Sequence, residues 1–354
     1  MTPGAFIKNV KADIIQECIL EIFCQLRCSQ EIYEPVIQGL IETSLRGVDT
    51  HGVRLIPHYV NAALEGRINL KPIINLRETS ASTAVLDANH TYGVAAATKA
   101  MKKSIELAQR SGIGCTVVFN SSHFAAAAIY ALQAARQNMI GISLTHSDSL
   151  VLPYGGQNSF LGTNPVCFAA PSEGEDPFCL DMSTSVVSWN KILQHRFLNQ
   201  MLEPDWAADS SGKVTLDPRA AVGILPLSGY KGYGLALMVE ILCSLLSGMP
   251  YGPHIPRMYP LTEDKRCLGH FLLAIDIARF QDPAVFKRRM RDLLGELRKS
   301  PPVEGFDNVK VAGDPEKEAY QKRSQEGIPL SLEEIKCFRD VIRKLNIKEP
   351  SFLS

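Results

Sequence analysis

The 354-residue sequence is 45% hydrophobic and 21% charged, and its 37 basic residues balance its 37 acidic ones. That composition suits a globular protein of two domains or one large one, and no electrostatic footprint for nucleic acid or an anionic membrane is visible. Residues 1–13 lack a basic-then-apolar leader, and the longest apolar run, 235–246, is broken by Glu240 and too short to span a bilayer, so no membrane partner and a cytoplasmic location are expected.

In chain order, residues 9–30 and 31–45 have the apolar spacing of two amphipathic helices. A polar, glycine-containing turn follows, Leu45-Arg46-Gly47-Val48-Asp49-Thr50-His51-Gly52. Helical spacing returns over 53–65, where Pro57 predicts a kink or a new start. From residue 73 the texture changes to short strands at 84–87, 114–119, 140–145, 165–170 and 178–182, with helical runs at 93–111 and 124–137 between some of them. That alternation predicts an α/β middle region. A polar excursion over 194–219 contains an Asp-Ser-Ser-Gly turn at 209–212 and precedes a helix over 235–246. A Pro/Gly-rich loop at 249–260, a strand at 270–276 and helices at 283–299 and 331–345 complete the reading. No internal repeat or low-complexity block argues for a solenoid.

Nine cysteines are scattered along the chain without a CxxC pair. Cys18, Cys24 and Cys28 fall in the first helix, and Cys115, Cys167 and Cys243 fall in apolar stretches. Buried free thiols in a reducing compartment are the expectation.

Four segments could carry chemistry. In Asn120-Ser121-Ser122-His123, a histidine stands where an apolar, β-branched strand meets an alanine-rich helical run. Backbone N–H groups are unpaired at such a junction, and imidazole titrates near neutrality; a polar helix-start residue satisfied by its own turn is the alternative. Asp49-Thr50-His51-Gly52 places hydroxyl and imidazole side by side, although an Asx or helix-cap turn explains the same residues. Downstream lie Arg54 and Tyr59, and an arginine fork is the usual device for a carboxylate. Gly229-Tyr230-Lys231-Gly232-Tyr233-Gly234 precedes an apolar helix and could cradle a phosphate or serve only helix packing. Neither a Walker loop nor GxGxxG occurs. Finally, Gly155-Gly156 and Gly162-Thr163-Asn164-Pro165 precede Asp181-Met182-Ser183-Thr184-Ser185, which leaves a strand and offers clustered hydroxyls for ribose or phosphate, with Asp181 equally able to cap a helix.

These segments, in this order, resemble the malate/L-lactate dehydrogenase family of nicotinamide oxidoreductases, which groups ureidoglycolate, sulfolactate and 2,3-diketogulonate dehydrogenases with some cyclic imine reductases. The stretches that carry the resemblance are RGVDTHGV at 46–53, NSSHF at 120–124, GTNP at 162–165, DMSTSVV at 181–187, KGYGLALMVEIL at 231–242, LGHFLLAID at 268–276 and GDPE at 313–316. The resemblance implies an α/β (α+β) fold. In it, a central mixed-sheet nucleotide-binding domain of non-Rossmann topology (76–304) joins a helical domain built from both termini (1–75 with 305–354), and two copies form a homodimer. It also implies an NAD- or NADP-dependent oxidoreductase acting on a small 2-hydroxy or 2-oxo acid.

Carried over by position, His123 matches the general acid/base, and Thr50 and His51 match a pair used in proton relay. Arg54, Arg46, Tyr59 and Ser147 are the implied substrate-binding residues. Phe124, Ala125, Asp181, Met182, Ser183, Lys231, Gly232, Gly313, Asp314 and Glu316 are the implied cofactor-binding residues. Three departures stand out. Ala125 replaces the glycine usual after His-Phe. The arginine that many members carry four residues after the motif histidine is here Leu55, with Arg54 one position earlier. The linker after Lys191 and the 249–267 segment are slightly short. A cyclic imine carboxylate reductase and a catalytically impaired dinucleotide-binding homologue are the alternatives. His51 and His58 share the seven-residue spacing of one helical face, but no carboxylate nearby completes a ligand set, so no metal is expected.

Overall fold

The computed structural model describes residues 7–259 and 262–353. Residues 1–6 of the expected leaderless stretch and residue 260 of the expected loop lie outside the described residues. The first third of the chain contains β1 (Ile7–Val10), α1 (Ala12–Gln25), α2 (Gln30–Leu45), α3 (Ile56–Leu64), β2 (Asn75–Glu78), β3 (Thr83–Asp87) and α4 (Gly93–Ser111). The middle holds β4 (Ile113–Ser121), α5 (Ala128–Ala135), β5 (Met139–Thr145), β6 (Val166–Ala170), β7 (Phe178–Met182) and α6 (Trp189–Leu198). Then come β8 (Ala207–Ala208), β9 (Val214–Thr215), β10 (Gly223–Ile224) and α7 (Tyr230–Glu240). Last are β11 (Leu268–Asp276), α8 (Pro283–Arg298), α9 (Asp314–Glu326), β12 (Ile328–Ser331) and α10 (Leu332–Lys344).

Seven strands form one mixed sheet in the order β2-β3-β4-β11-β5-β6-β7. Only β3 and β4 run parallel; the other neighbours are antiparallel. This is not the parallel, doubly wound sheet of a Rossmann domain, as the resemblance implied. The late strand β11 inserts between β4 and β5, pairing Leu268 with Ser121 and His270 with Thr145. The ends of three strands distant in sequence therefore meet at one edge, which is where the site forms.

Helices α4 and α5 cover the sheet, and their composition explains how closely they lie. Ala95, Ala96, Ala97, Ala100 and Ala108 of α4, and Ala131, Ala134 and Ala135 of α5, are buried. A Cβ at Gly114 would strike the Ser104 carbonyl of α4, and one at Gly141 would strike the Ala131 carbonyl of α5. Small side chains on both sides bring helix backbone onto strand backbone, and Leu107, Met101 and Val118 fill the remaining apolar space.

The termini come together through β1 and β12, which pair antiparallel from Ile7↔Ser331 to Val10↔Ile328. Helix α10 starts from a capping box formed by Ser331 and Glu334, and it buries Ile335, Phe338, Val341 and Ile342 at helical spacing. One apolar cluster runs from Val10 through α1, α2, α4 and α5 to Leu353. The change of texture near residue 75 is thus a change of secondary structure inside a shared core.

Several elements differ from the expectations. The helix foreseen over 124–137 begins at Ala128, because the Asp181 carboxylate accepts from the Ala128 N–H and the preceding turn holds Ala125 at φ +60°. The helix foreseen over 235–246 begins at Tyr230 and widens into a π-helical turn at Ile241–Leu245. The polar excursion contains α6 and a three-stranded sheet, β10-β8-β9. Strands β1, β2 and β12 are short. Helix α9 buries none of its residues, so it lacks the apolar stripe by which a surface helix is read; only Gly313 and Pro315 mark its start.

Candidate active site

The turn after β4 is positioned by its contact with α4. Ser122 Oγ donates to the Thr91 carbonyl at 2.9 Å and accepts from the Gly93 N–H at 3.0 Å. A Cβ at Gly93 would collide with the carbonyls of Ser122 and His123, so glycine there lets the start of α4 press against this turn. His123 is partly buried. Tyr59 Oη of α3 lies 3.0 Å from its Nδ1 and 3.3 Å from its carbonyl oxygen, and the Ala125 N–H points at Nδ1 from 3.4 Å. The His51 ring stacks on the His123 ring at 5.8 Å, and Thr50 Oγ1 lies 2.9 Å from His51 Nδ1.

Burial is the main cause that holds His123 well below the usual imidazole range. The charges of His51, His58, Arg266 and His270 act in the same direction. Burial and then Arg54 lower His51 to about 4, and burial followed by Arg266 and Arg67 lowers His58 to about 4. The cluster is therefore neutral at pH 7. Behind it, His270 is fully buried, bridging Thr145 Oγ1 at 2.7 Å and Ser121 Oγ at 2.8 Å.

A cavity of about 600 Å³ opens beside this cluster, lined among others by Thr50, His51, the 125–129 turn, Asp181, Met182 and Ser183. Its far side is formed by Arg46, Lys310, Gly313 and Glu316. That size falls in the range of small-molecule and cofactor sites. Arg46 is 5% exposed and bound to Asp176 at 2.6 Å, while its Nη2 finds no acceptor. Packing around the Asp181 carboxyl pushes it up to about 6, against the Ala128 N–H, which favours its charge. An anionic dinucleotide suits the unsatisfied guanidinium nitrogen, the unhindered alanine turn at the start of α5, and the ribose-compatible acceptors Asp181 and Glu316.

The nominated residues thus divide. Thr50, His51, Arg46, Ala125, Asp181, Met182, Ser183, Gly313 and Glu316 share the cavity, and Tyr59 and His123 stand next to it. The Tyr59 hydroxyl is engaged on His123 rather than open to a substrate. Arg54 is exposed and lies 3.8 Å from Glu334 of α10. Phe124 turns into the core, stacking on His270 at 4.7 Å. Asp314 is bound to Arg298 at 2.7 Å and to the Val311 N–H at 3.0 Å. Ser147 accepts from the Thr163 N–H, within the loop after β5. Lys231 is exposed and Gly232 packs its backbone against Leu227; neither lines the cavity. The His51 turn is fixed from α9, where Arg323 binds both Asp49 oxygens and the Ser44 carbonyl.

Sequence reasoning passed over Arg266, Asp148, Tyr259 and the buried Glu240. Glu240 accepts from Asn164 Nδ2 at 2.7 Å and from the Gly252 N–H at 2.8 Å, and so fastens α7 to the GTNP turn. A charged residue inside an otherwise apolar helix was the signal available for it. His51 and His58 diverge, His58 packing instead on Tyr259 at 4.8 Å, and no cluster of three or more metal-ligating side chains occurs among the described residues.

A sequence model of the malate/L-lactate dehydrogenase family matches residues 10–338. The chain is 35% identical over 351 residues to the malate dehydrogenase of Pyrococcus abyssi, covering 96% of each chain. It is 32% identical over 322 residues to the ureidoglycolate dehydrogenase (NAD(+)) of Escherichia coli (strain K12), covering 91% of this chain and 92% of that one. The crystal structure of malate dehydrogenase from Entamoeba histolytica superposes with a TM-score of 0.92 at 32% identity, covering 98% of this chain and 100% of that one.

Proposed function

The chain belongs to the malate/L-lactate dehydrogenase family, and on that premise we propose that it is an NAD- or NADP-dependent oxidoreductase interconverting a small 2-hydroxy acid and its 2-oxo acid. The observation that carries this reading is a neutral, partly buried histidine, His123, engaged through Nδ1 by Tyr59 and stacked on a residue that lines a cofactor-sized cavity.

The nicotinamide, when bound, supplies or accepts the hydride. The protein's part is to move the proton and hold the anions. With Nδ1 protonated, at the expense of the long Ala125 N–H contact, Tyr59 Oη accepts from His123 Nδ1–H and donates to the His123 carbonyl, which leaves the Nε2 lone pair to take a proton from the substrate hydroxyl. In the reductive direction Nε2–H returns that proton to the 2-keto oxygen. Thr50 and His51, hydrogen-bonded to each other and stacked against this ring, line the cavity, where the pair would exchange protons with a bound substrate. Arg46, Asp181, Met182, Ser183, Gly313 and Glu316 would hold the dinucleotide.

The test is a panel of 2-oxo acids and cyclic imine acids run with NADH and NADPH. Reduction of at least one 2-oxo acid is expected, and failure across the acids would sink the reading. In His123→Ala, kcat should fall by about 10²–10⁴, the usual worth of general acid–base catalysis. Cofactor-induced thermal stabilisation should persist in that variant. An unchanged kcat would remove His123 from its role.

A homodimer in a reducing, cytoplasmic compartment belongs to the same reading. All nine cysteines are free of disulfides, though Cys24 and Cys337 are exposed rather than buried as expected, because their helices turn those positions to solvent. Leu235, Leu237, Met238, Ile241, Leu245 and Leu246 are each between 39 and 59% exposed, and the one charge in that run, Glu240, is buried. A charge-free apolar face of this extent fits a second copy of itself, and light scattering should return twice the chain mass.

A further inference from the structure

Arg266 is 4% exposed, yet it is only partly satisfied. Its Nη2 donates to Asp148 Oδ1 at 2.7 Å, while Nε and Nη1 are buried without any acceptor. Unpaired donors on a buried cation are costly, and where they persist an acceptor is missing. Strand register places this guanidinium. Leu268 pairs with Ser121, so Arg266, two residues before β11 pairs there, and His123, two residues beyond that point on β4, leave neighbouring strand ends side by side. Asp148 follows the end of β5 on the other flank, and it also accepts from the Met258 N–H at 3.2 Å.

Other arginines near the histidines are committed elsewhere. Arg46 is bound to Asp176 on the cofactor side, Arg54 is exposed beside Glu334, and position 55 carries a buried leucine. Arg67 donates to the carbonyls of Arg257, Met258 and Asp264.

We propose that Arg266 receives the substrate carboxylate and thereby sets the 2-oxo group against His123; this rests on the reading of the chain as a 2-oxo acid oxidoreductase. A carboxylate one carbon from the reacting carbonyl supplies the acceptor that Nε and Nη1 lack, and a guanidinium neighbouring the proton-transfer histidine spans that separation. Asp148 is a positioning residue, holding the guanidinium from the opposite edge. Both free donors are shut from solvent, so entry of the anion needs a shift of their cover. Tyr259 packs on His58 and lies within electrostatic reach of Arg266. The charge of Arg266 also lowers His123, so a bound carboxylate, by neutralising it, favours proton uptake on the ring.

The test compares full-length wild type with Arg266→Gln, Arg266→Lys and Arg54→Ala, using the best 2-oxo acid of the panel and its neutral amide. Arg266→Gln should raise KM for the acid about 100-fold or more and leave KM for the cofactor within about threefold, as expected for loss of charge-assisted bonds to substrate alone. Wild type should prefer acid to amide strongly, and Arg266→Gln should bring the two within about fivefold, a change that a purely structural role would not produce. Arg54→Ala should stay within about threefold of wild type. The alkaline limb of kcat/KM for reduction, where protonated His123 is lost, should move to higher pH in Arg266→Gln, with His51, His58, His270 and Tyr59 still in place around His123. Wild-type KM and acid preference in Arg266→Gln would overturn the proposal. If Arg266→Gln does not fold, Arg266→Lys decides: the lysine keeps the charge without the planar fork, and unchanged KM and acid preference would overturn it equally. If wild type reduces no 2-oxo acid, the functional reading fails first, and thermal shift with oxamate and cofactor tests Arg266 separately. Stabilisation in wild type that Arg266→Lys loses supports the anion site; equal stabilisation, or none, refutes it.

Discussion

At position 125 the backbone holds φ +60°, a region in which glycine is unstrained and alanine is not. The turn needs that conformation to carry the chain from His123 to the start of α5, where the Ala128 N–H meets Asp181. Alanine in this conformation costs about 1–2 kcal/mol, and glycine gives back about 0.5–1 kcal/mol through its freer unfolded chain. Ala125→Gly should therefore stabilise the protein by about 0.5–1 kcal/mol and leave cofactor binding intact. A denaturation midpoint below wild type would show that the methyl contributes packing that outweighs the strain. The departure was legible in the sequence as an alanine where the resembling family keeps glycine; its conformation was not, since φ depends on how the turn is pinned between α4 and β7. His123 was legible because a strand-to-helix junction can be read locally. Tyr59 was nominated for substrate; its hydroxyl bonds His123, a pairing 64 positions apart that no local pattern encodes.

At the scale of single elements, α7 shows how one helix serves two environments. Ala236, Val239 and Cys243 pack inward with Tyr233 and Leu242 partly buried beside them, Glu240 reaches Asn164 and Gly252, and Leu235, Leu237, Met238, Ile241, Leu245 and Leu246 face outward. An all-round apolar pattern normally marks a helix buried on every side, so the exposed face points to a covering partner. Leu237→Glu combined with Ile241→Glu should convert a dimer to a monomer in light scattering, since two buried charges would lack partners across the interface. A dimer that survives both substitutions would place the interface elsewhere. The glycines of 229–234 looked equally suited to a phosphate cradle or to packing. At Gly232 packing decides, because the Leu227 backbone occupies the space a Cβ would need. Helix α9 was missed for the opposite reason: it has no apolar stripe, and its role is to hold Asp49 through Arg323.

Over the whole molecule, burial lowers five histidines, His90 and four others. His51 and His58 are lowered to about 4 and His270 to about 3, and His123 lies well below its usual 6.5. The unfolded chain protonates these rings near 6.5 while the folded chain does not. Below about pH 6.5 the unfolded state therefore binds more protons, and stability falls as pH drops through the window from about 6.5 to 4. Asp181, raised to about 6 chiefly by burial, works in the opposite sense, because its penalty is relieved as it protonates. One carboxyl offsets only part of five histidines. The melting temperature should be level between pH 7 and 8 and decline from pH 6.5 to 5; a flat profile down to pH 5 would show that the rings accept protons in the folded state.

The sequence by itself determined the α/β class, the helices near both termini, the unpaired thiols and the His123 turn, because periodicity, propensity and turn chemistry act over a few residues. Its ordered motifs also marked the family. Only the tertiary structure decided that β11 enters between β4 and β5, and with it that Arg266, held by Asp148, leaves a strand end next to the one that leads to His123. Strand order and register are set by burial and pairing between distant segments, and a buried guanidinium with two unsatisfied nitrogens exists only once those segments have closed around it.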